Sequence, residues 1–315
     1  MVAARTRALL LASLLGATGA AAEERASPFR GELGLRYWYS TGIHKHSHSA
    51  QDRFPDLGNP TSVLTYENLD AHAAEIHGRQ IFRNHWFLKG VLGAGRIITG
   101  SFDDEDYFAG QQKFSDTTSS VPAGWLSHFA IDVGRYQWIL GERATAVGAF
   151  VGFGQWTEYV DAYGATYTVD TEGDGAPISR GVKVISNKAI WRALRLGVSA
   201  DIGLTARTRI TADLAFIPYA TVRNEDSHYL RTDIEDLGPA PNIVITGRGR
   251  GVQLEAELRH EIAQRVELSL GWRYWYLKAL EAERTLPNFP AFDSLPVVEL
   301  YSKRFGATVT LTRRW

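Results

Sequence analysis

VELSLGWRYWY, residues 266–276, is the stretch of sequence that decides the fold. Apolar or aromatic residues occupy every second position from Val266 to Tyr276, and polar or small residues lie between them as far as Arg273. Because successive side chains of a β-strand point to opposite faces, this pattern predicts a strand with one face in an apolar medium and the other in a polar one. The same period recurs at 210–216 and 252–258.

Two kinds of β protein produce such alternation. In a soluble sandwich the apolar face points into the core, whereas in an outer-membrane barrel it points at lipid and the polar face lines the lumen. The polar faces here carry Asp213, Glu255, Glu257 and Arg273, which suits a narrow, charged lumen. Aromatic residues collect near strand ends, as at 37–39. We therefore predict an all-β transmembrane barrel located in the bacterial outer membrane.

Ten strands are predicted, and an even number of antiparallel strands is expected for a bacterial barrel. They centre on residues 33–40, 64–76, 87–98, 126–140, 146–159, 182–204, 210–222, 252–262, 266–277 and 297–313. The sixth is long enough to divide. The long connections, predicted to be extracellular loops, are 41–62, 99–124, 160–180, 223–250 and 278–296. A barrel of this size is filled by side chains, which argues against a general diffusion porin.

The N-terminus predicts a secretory signal peptide. Arg5 and Arg7 precede the apolar run 8–15, and small residues at 20–22 offer a cleavage site. We expect residues 1–22 to be removed and 23–315 to form one barrel domain. The chain has no cysteine, so disulfides do not stabilise it. Its net charge of −1 gives no basic bias, which argues against a nucleic-acid partner.

Two acidic clusters carry the functional signal, at 103–107 and 224–228, and both fall in predicted extracellular loops. Asp104 and Asp106 are two residues apart, and so are Asp226 and His228. In extended chain, residues with that spacing point the same way. His228 could deprotonate a water molecule while Asp226 orients its ring, and Asp104 or Asp106 could hold the other side of that water.

The parity of the strands opposes this arrangement at first sight. Asp226 and His228 share parity with the lipid-facing residues 210–216, so an unbroken strand would point them outward. We predict that a bulge or bend near 223–224 resets the register. Gly100 is predicted to do the same for the first pair.

At these residues the chain resembles the omptin family of outer-membrane proteases. That resemblance rests on Asp104-x-Asp106 and Asp226-x-His228, together with strand order and loop lengths through nearly the whole chain. It implies a ten-stranded barrel, hydrolysis of extracellular peptides or proteins by an activated water, and Asp104, Asp106, Asp226 and His228 as catalytic residues. The resemblance implies no cofactor. It leaves open whether the protein requires lipopolysaccharide. We expect outer-membrane lipids and a peptide or protein substrate as partners, and a monomer.

Several positions depart from the family pattern. Tyr107 replaces the usual Trp and is a candidate substrate-binding residue. Asn224 stands where the resemblance implies an acidic residue that reads basic substrates, and Gly42 lies near a second such position. The family's lipid A contacts fall near the fifth-strand segment 153–157 (Phe153, Gln155 and Thr157), which lacks the expected charges. A preference for basic cleavage sites and a need for lipopolysaccharide therefore stay open.

Competing interpretations remain for each motif. The acidic clusters could be solvated loops, since Asp and Asn favour turns. His44, His46 and His48 are weak metal-ligand candidates, and a solvated histidine loop is favoured over them. The glycine-rich segment 244–251 reads as a flexible loop entering a strand. The alternative function for the whole chain is a non-catalytic barrel, such as an adhesin, receptor or structural protein.

Overall fold

The computed structural model describes residues 30–140, 145–171, 173, 175–289 and 294–315, with Leu140 described only by its backbone. The predicted signal peptide lies outside these ranges, as does the segment 141–143, for which the sequence predicts a short turn between the strands centred on 126–140 and 146–159. Within them, no helix is long and apolar enough to cross a membrane.

The described residues form ten β-strands closed into a ring. The strands are β1 (Arg30–His48), β2 (Ser62–Ile81), β3 (Trp86–Phe108), β4 (Gln112–Leu140), β5 (Thr145–Asp170), β6 (Ile178–Gly203), β7 (Thr208–His228), β8 (Ile243–Ala263), β9 (Val266–Thr285) and β10 (Leu295–Arg314). Each strand pairs antiparallel with its neighbour in sequence, and β1 pairs with β10 to close the barrel. The predicted fold is confirmed, and the sixth strand does not divide.

The opening stretch behaves as its alternation predicts. Leu268, Leu270 and Trp272 are exposed on the outer face, while Ser269 and Arg273 are buried inside. Similar apolar residues form an outer band around the barrel, which on β1 extends from Leu33 to Tyr39. Such a band, open to lipid and flanked by aromatics, is the membrane-spanning part of an outer-membrane barrel.

The strands continue well beyond this band, which corrects the predicted loops. β4 begins at Gln112 rather than near 126, and β8 begins at Ile243 rather than near 252. In these upper segments the outer face carries polar residues, so the lipid-facing period disappears from the sequence. The backbone ladder nevertheless persists, because strand pairing needs hydrogen bonds rather than lipid contact. Both acidic clusters therefore lie on strands and not in solvated loops.

The lower lumen is filled by ion pairs. Arg36 contacts Glu257 at 2.8 Å and Glu75 at 3.1 Å, and Arg273 contacts Glu255 at 2.7 Å. All these side chains are inside the barrel wall and satisfy one another, as buried charges must.

A layer of tryptophans closes the lumen above the charges. The ring centres of Trp38 and Trp275 are 5.1 Å apart, and those of Trp156 and Trp275 are 5.6 Å apart. Above it, the buried Arg304 binds Glu158 at 2.9 Å. These layers form the floor of the extracellular mouth and hold its walls at fixed separation.

Candidate active site

A bulge in β7 turns the second motif inward. Ala215 and Ile217 face the interior, Pro218 and Tyr219 are both exposed, and burial resumes at Ala220. The pairing of β7 with β6 and with β8 shifts register at the same point. The reset therefore occurs at Pro218–Tyr219 rather than near 223–224 as predicted. Proline fits there because it has no N–H to donate to a ladder.

The first motif is turned inward by a similar irregularity in β3. Ile97 is buried, Ile98 and Thr99 are both exposed, and Phe102 is buried again. The pairing with β2 shifts register across these residues. The reset thus lies directly before Gly100, close to the predicted position. As a result Asp104 and Asp106 face the interior, on the same side of β3 as Phe102.

Asp226 and His228 form a hydrogen-bonded pair in the mouth. The Nε2 atom of His228 lies 3.1 Å from Oδ2 of Asp226. Asp226 is 1% exposed, so this carboxylate is withdrawn from water and its charge is satisfied mainly by the imidazole. With the proton on Nε2 donated to Asp226, the lone pair of Nδ1 is left to act as a base.

Opposing effects set the pKa values of this pair. Burial would raise the pKa of Asp226, but the charge and hydrogen bond of His228, aided by His46, lower it overall. Burial would lower the pKa of His228, but Asp226 and then Asp104 raise it above the usual 6.5. The pair is therefore held as carboxylate and imidazolium at lower pH, and His228 becomes a free base as the pH rises through its raised pKa.

Asn242 fixes the backbone of His228. Its Oδ1 accepts the backbone N–H of His228 at 2.9 Å, and its Nδ2 donates to the His228 carbonyl at 3.0 Å. The same amide group also donates to the carbonyl of Gly238. This fully buried side chain ties the end of β7 to the start of β8, which limits rotation of the His228 backbone.

The histidines of β1 line the same mouth. Nε2 of His46 lies 3.7 Å from Oδ2 of Asp226, and Nδ1 of His44 lies 2.8 Å from Oγ of Ser302. Burial lowers the pKa of His44 to about 3 and that of His46 to about 4. Burial also lowers the pKa of His48 well below its usual value. All three imidazoles are thus neutral at neutral pH.

Asp104 and Asp106 form an acid pair on the opposite wall. Their partners on β2 are Leu64 and Ser62, and the Ser62 hydroxyl hydrogen-bonds to Asp106. Burial, and then the charge of Asp106, raise the pKa of Asp104 to about 7, while His228 lowers it in part. Burial likewise raises the pKa of Asp106. Near neutral pH the pair therefore retains a proton.

The two motifs interact electrostatically across the mouth. The charge of Asp104 raises the pKa of His228, and the charge of His228 lowers the pKa of Asp104. Asp226 also raises the pKa of Asp104. The structure therefore brings Asp104, Asp106, Asp226 and His228 into one electrostatic cluster.

The other predicted site residues differ in where they lie relative to this cluster. Asn224 is fully buried on the inner face of β7, next to His44. Tyr107 is outside the cluster, because its hydroxyl donates to Glu105 on the outer side of β3. Gly42 faces inward, and a Cβ there would meet the guanidinium of Arg304 at 2.5 Å, so a side chain at this position would require Arg304 to shift. Within the described ranges, no three His, Cys, Asp or Glu side chains are arranged to hold a metal ion.

Two residues of the mouth, Tyr66 and Arg284, were missed from the sequence. His46 was predicted only as a weak metal-ligand candidate in a solvated histidine loop; it is instead buried on β1, and it shares the parity of the buried Trp38. Tyr66 is fully buried, and both Asp226 and Asp104 raise its pKa after burial does. Arg284 of β9 interacts with Asp226, Asp104 and Asp106. No signal pointed to Arg284, because β9 shifts register between Ala279 and Glu281.

The chain is similar to known outer-membrane barrel proteins in sequence and in fold. Residues 92–237, which include both motifs, match the model of the Omptin family. No curated protein matches the sequence. The outer-membrane protease OmpT of Escherichia coli is similar in structure, with a TM-score of 0.70 at 13% identity over 93% of this chain and 99% of that chain. The translocator domain of the autotransporter NalP of Neisseria meningitidis aligns over 98% of this chain and 96% of that chain, with 9% identity and a TM-score of 0.38. The predicted family resemblance and the outer-membrane location are confirmed.

Proposed function

We propose that this chain, a divergent member of the omptin family, is an outer-membrane endopeptidase that cleaves extracellular peptides or proteins with a water activated between His228 and the Asp104–Asp106 pair. The observation that carries the proposal is the buried bond between His228 and Asp226, set opposite two carboxylates with raised pKa values. Strongly perturbed titratable groups that meet in a concave site are typical of catalysis.

Each residue has a distinct role in this reaction. His228 takes a proton from the water, and the resulting hydroxide attacks the peptide carbonyl carbon. Asp226, which is 1% exposed, does not touch the substrate but orients the imidazole and stabilises its charged form. The proton retained by Asp104 and Asp106 can be donated to the carbonyl oxygen as negative charge develops there. When the C–N bond breaks, His228 gives its proton to the leaving amine and a hydroxyl of the gem-diol returns a proton to the acid pair, which completes hydrolysis without a covalent intermediate.

The outer face of β5 and β6 offers a contact for lipopolysaccharide, which is a further part of the proposal. Of the predicted positions, Phe153 faces outward and Thr157 is buried. Gln155 accepts a hydrogen bond from Arg192 of β6 at 3.0 Å. Arg192 thus supplies an exposed cation at the height where the fifth strand itself has none, and it could bind a lipid A phosphate. Assays with and without lipopolysaccharide, on the native chain and on Arg192→Gln, test this contact.

The decisive experiment is cleavage of a peptide library by the purified protein and by His228→Ala. We expect cleavage by the native chain and none above background by the variant. His260→Ala is the matched control, since His260 is exposed at the opposite end of the barrel and bonds to Thr208. Equal cleavage by native protein and His228→Ala would overturn the proposal and favour a non-catalytic barrel.

A further inference from the structure

Arg284 enters the mouth from β9. Its partners in the sheet are Ile245 on one side and Leu295 on the other, and Ile245 in turn pairs with Asn224. Ile245 is buried on the inner face, and Ala282, two residues before Arg284, packs against the interior cluster. The side chain of Arg284 therefore projects inward, at the level of the β7 segment that carries Asp226.

The guanidinium of Arg284 is only partly exposed and has no counterion in direct contact. No carboxylate of the described residues lies within 4.0 Å of it. Two other cations near the mouth are paired: Lys183 binds Asp161 at 2.9 Å, and Arg231 binds Asp236 at 2.6 Å. The guanidinium N–H groups of Arg284 are thus available to donate hydrogen bonds to a ligand.

Its charge persists beside the reacting groups. Burial lowers the pKa of Arg284 to about 10, which still leaves it cationic at neutral pH. Arg284 in turn lowers the pKa values of Asp106, Asp226 and His228, so it lies close to both motifs. It does not neutralise Asp226 by contact, because that carboxylate already binds His228.

Among the described residues near Arg284, few groups favour a basic substrate side chain. Asn224 is uncharged, and His44 and His46 are neutral at neutral pH. The acid pair retains a proton, which reduces its attraction for a cation. A basic side chain would also meet the like charge of Arg284, whereas a carboxylate would gain a bidentate ion pair with it.

We propose that Arg284 forms an anion-binding subsite beside the activated water, so that the protein selects peptide bonds flanked by a carboxylate. This inference deepens the proposed function and rests on it. The carboxylate can come from an acidic side chain or from a nearby C-terminus, and the two sources share this chemistry.

The test compares substrates within each variant. Peptides with blocked ends and Glu, Gln or Lys next to one cleavable bond are assayed with native protein, Arg284→Gln, Arg284→Lys and Arg248→Gln. Arg248 is an exposed, outward-facing arginine of the neighbouring strand and serves as the matched control. A fourth peptide, with Gln at that position and a free C-terminus beside the bond, distinguishes the two carboxylate sources.

We expect kcat/KM for the Glu peptide to exceed that for the Gln peptide by about 10–100-fold, the range of a charged hydrogen bond. Arg284→Gln should abolish that ratio, Arg284→Lys should retain part of it, and Arg248→Gln should preserve it. The ratio is measured within one variant, so a general loss of folded protein or of catalysis cancels. An equal loss on all peptides would show that Arg284 only balances the aspartates, and would overturn the inference, as would a preference for Lys.

Failure of the inference is distinguishable from failure of the proposed function. If His228→Ala cleaves as well as native protein, the proposed function fails. Binding of the labelled Glu and Gln peptides to His228→Ala, measured by fluorescence anisotropy, then decides the subsite by itself. Tighter binding of the Glu peptide that depends on Arg284 supports the subsite, and equal binding contradicts it.

Discussion

In the lower lumen, Arg36, Glu75, Glu255 and Arg273 hold one another in direct ion pairs, whereas at the mouth Asp104, Asp106 and Arg284 are close together without such contact. Both sets lie inside the same barrel wall. Paired buried charges are satisfied and inert, and their main contribution is to the fold. Charges that are withdrawn from water but incompletely paired keep perturbed pKa values and can exchange protons. Structural charges thus lie in the lower lumen of the barrel, and reactive charges lie at its mouth.

The largest expected effect is the loss of the general base, His228. His228→Ala removes the group that accepts the proton of water, and we expect kcat/KM to fall by about 10²–10⁴-fold, the usual contribution of a general base. Cleavage of a quenched fluorescent peptide measures it, with unchanged urea unfolding as the sign that the barrel is intact. His260→Ala should cleave like the native protein, and a similar loss in that control would remove the distinction.

A lumen variant should show the opposite behaviour. Arg273→Met leaves Glu75 and Glu255 with one cation fewer, and we expect the free energy of unfolding to fall by about 3–5 kcal/mol. The kcat/KM of the folded fraction should stay near the native value. Urea unfolding followed by tryptophan fluorescence measures the free energy of unfolding, and peptide cleavage measures kcat/KM. Selective loss of cleavage without loss of stability would contradict the division between the two regions.

Asp104→Asn tests the role of the acid pair, and the adjacent Asp103 provides the control. Replacing one carboxyl by an amide removes the shared proton, and we expect kcat/KM to fall by about 10–100-fold. Asp103→Asn is the matched control, because Asp103 accepts a hydrogen bond from Thr118 on the outer side of the strand. Equal losses in the two variants would place the effect in the strand rather than in the acid pair.

The smallest expected effect is a change in pH dependence. Since His228 acts as a neutral base and its pKa is raised, kcat/KM should rise as the pH increases through that pKa. Asp226→Asn removes the main charge that raises the pKa of His228, so the rising limb should move to lower pH while the maximum falls. A limb that stays in place would show that His228 is not the titrating base.

The fold could be predicted where the strands face lipid, because the medium outside imposes period two on the sequence. The upper strands could not be delimited in this way, since water wets their outer face and polar residues occupy both parities. The position of the β7 bulge had a signal that went unused: Pro218 interrupts the ladder five residues before the predicted reset. Asp104, Asp106, Asp226 and His228 were predictable as pairs with a shared direction. Arg284 was not, because its orientation depends on a bulge in β9 between Ala279 and Glu281, where β9 itself has no proline or glycine.

The most direct test of the claim that the two motifs act on one water is a double-mutant cycle on kcat/KM with Asp104→Asn and Asp226→Asn. If both pairs serve one reaction, their losses are coupled, and the double variant should lose less than the product of the two single losses. The account predicts a coupling of about 0.5–3 kcal/mol. Strictly multiplicative losses would contradict it and show that the two walls of the mouth act independently.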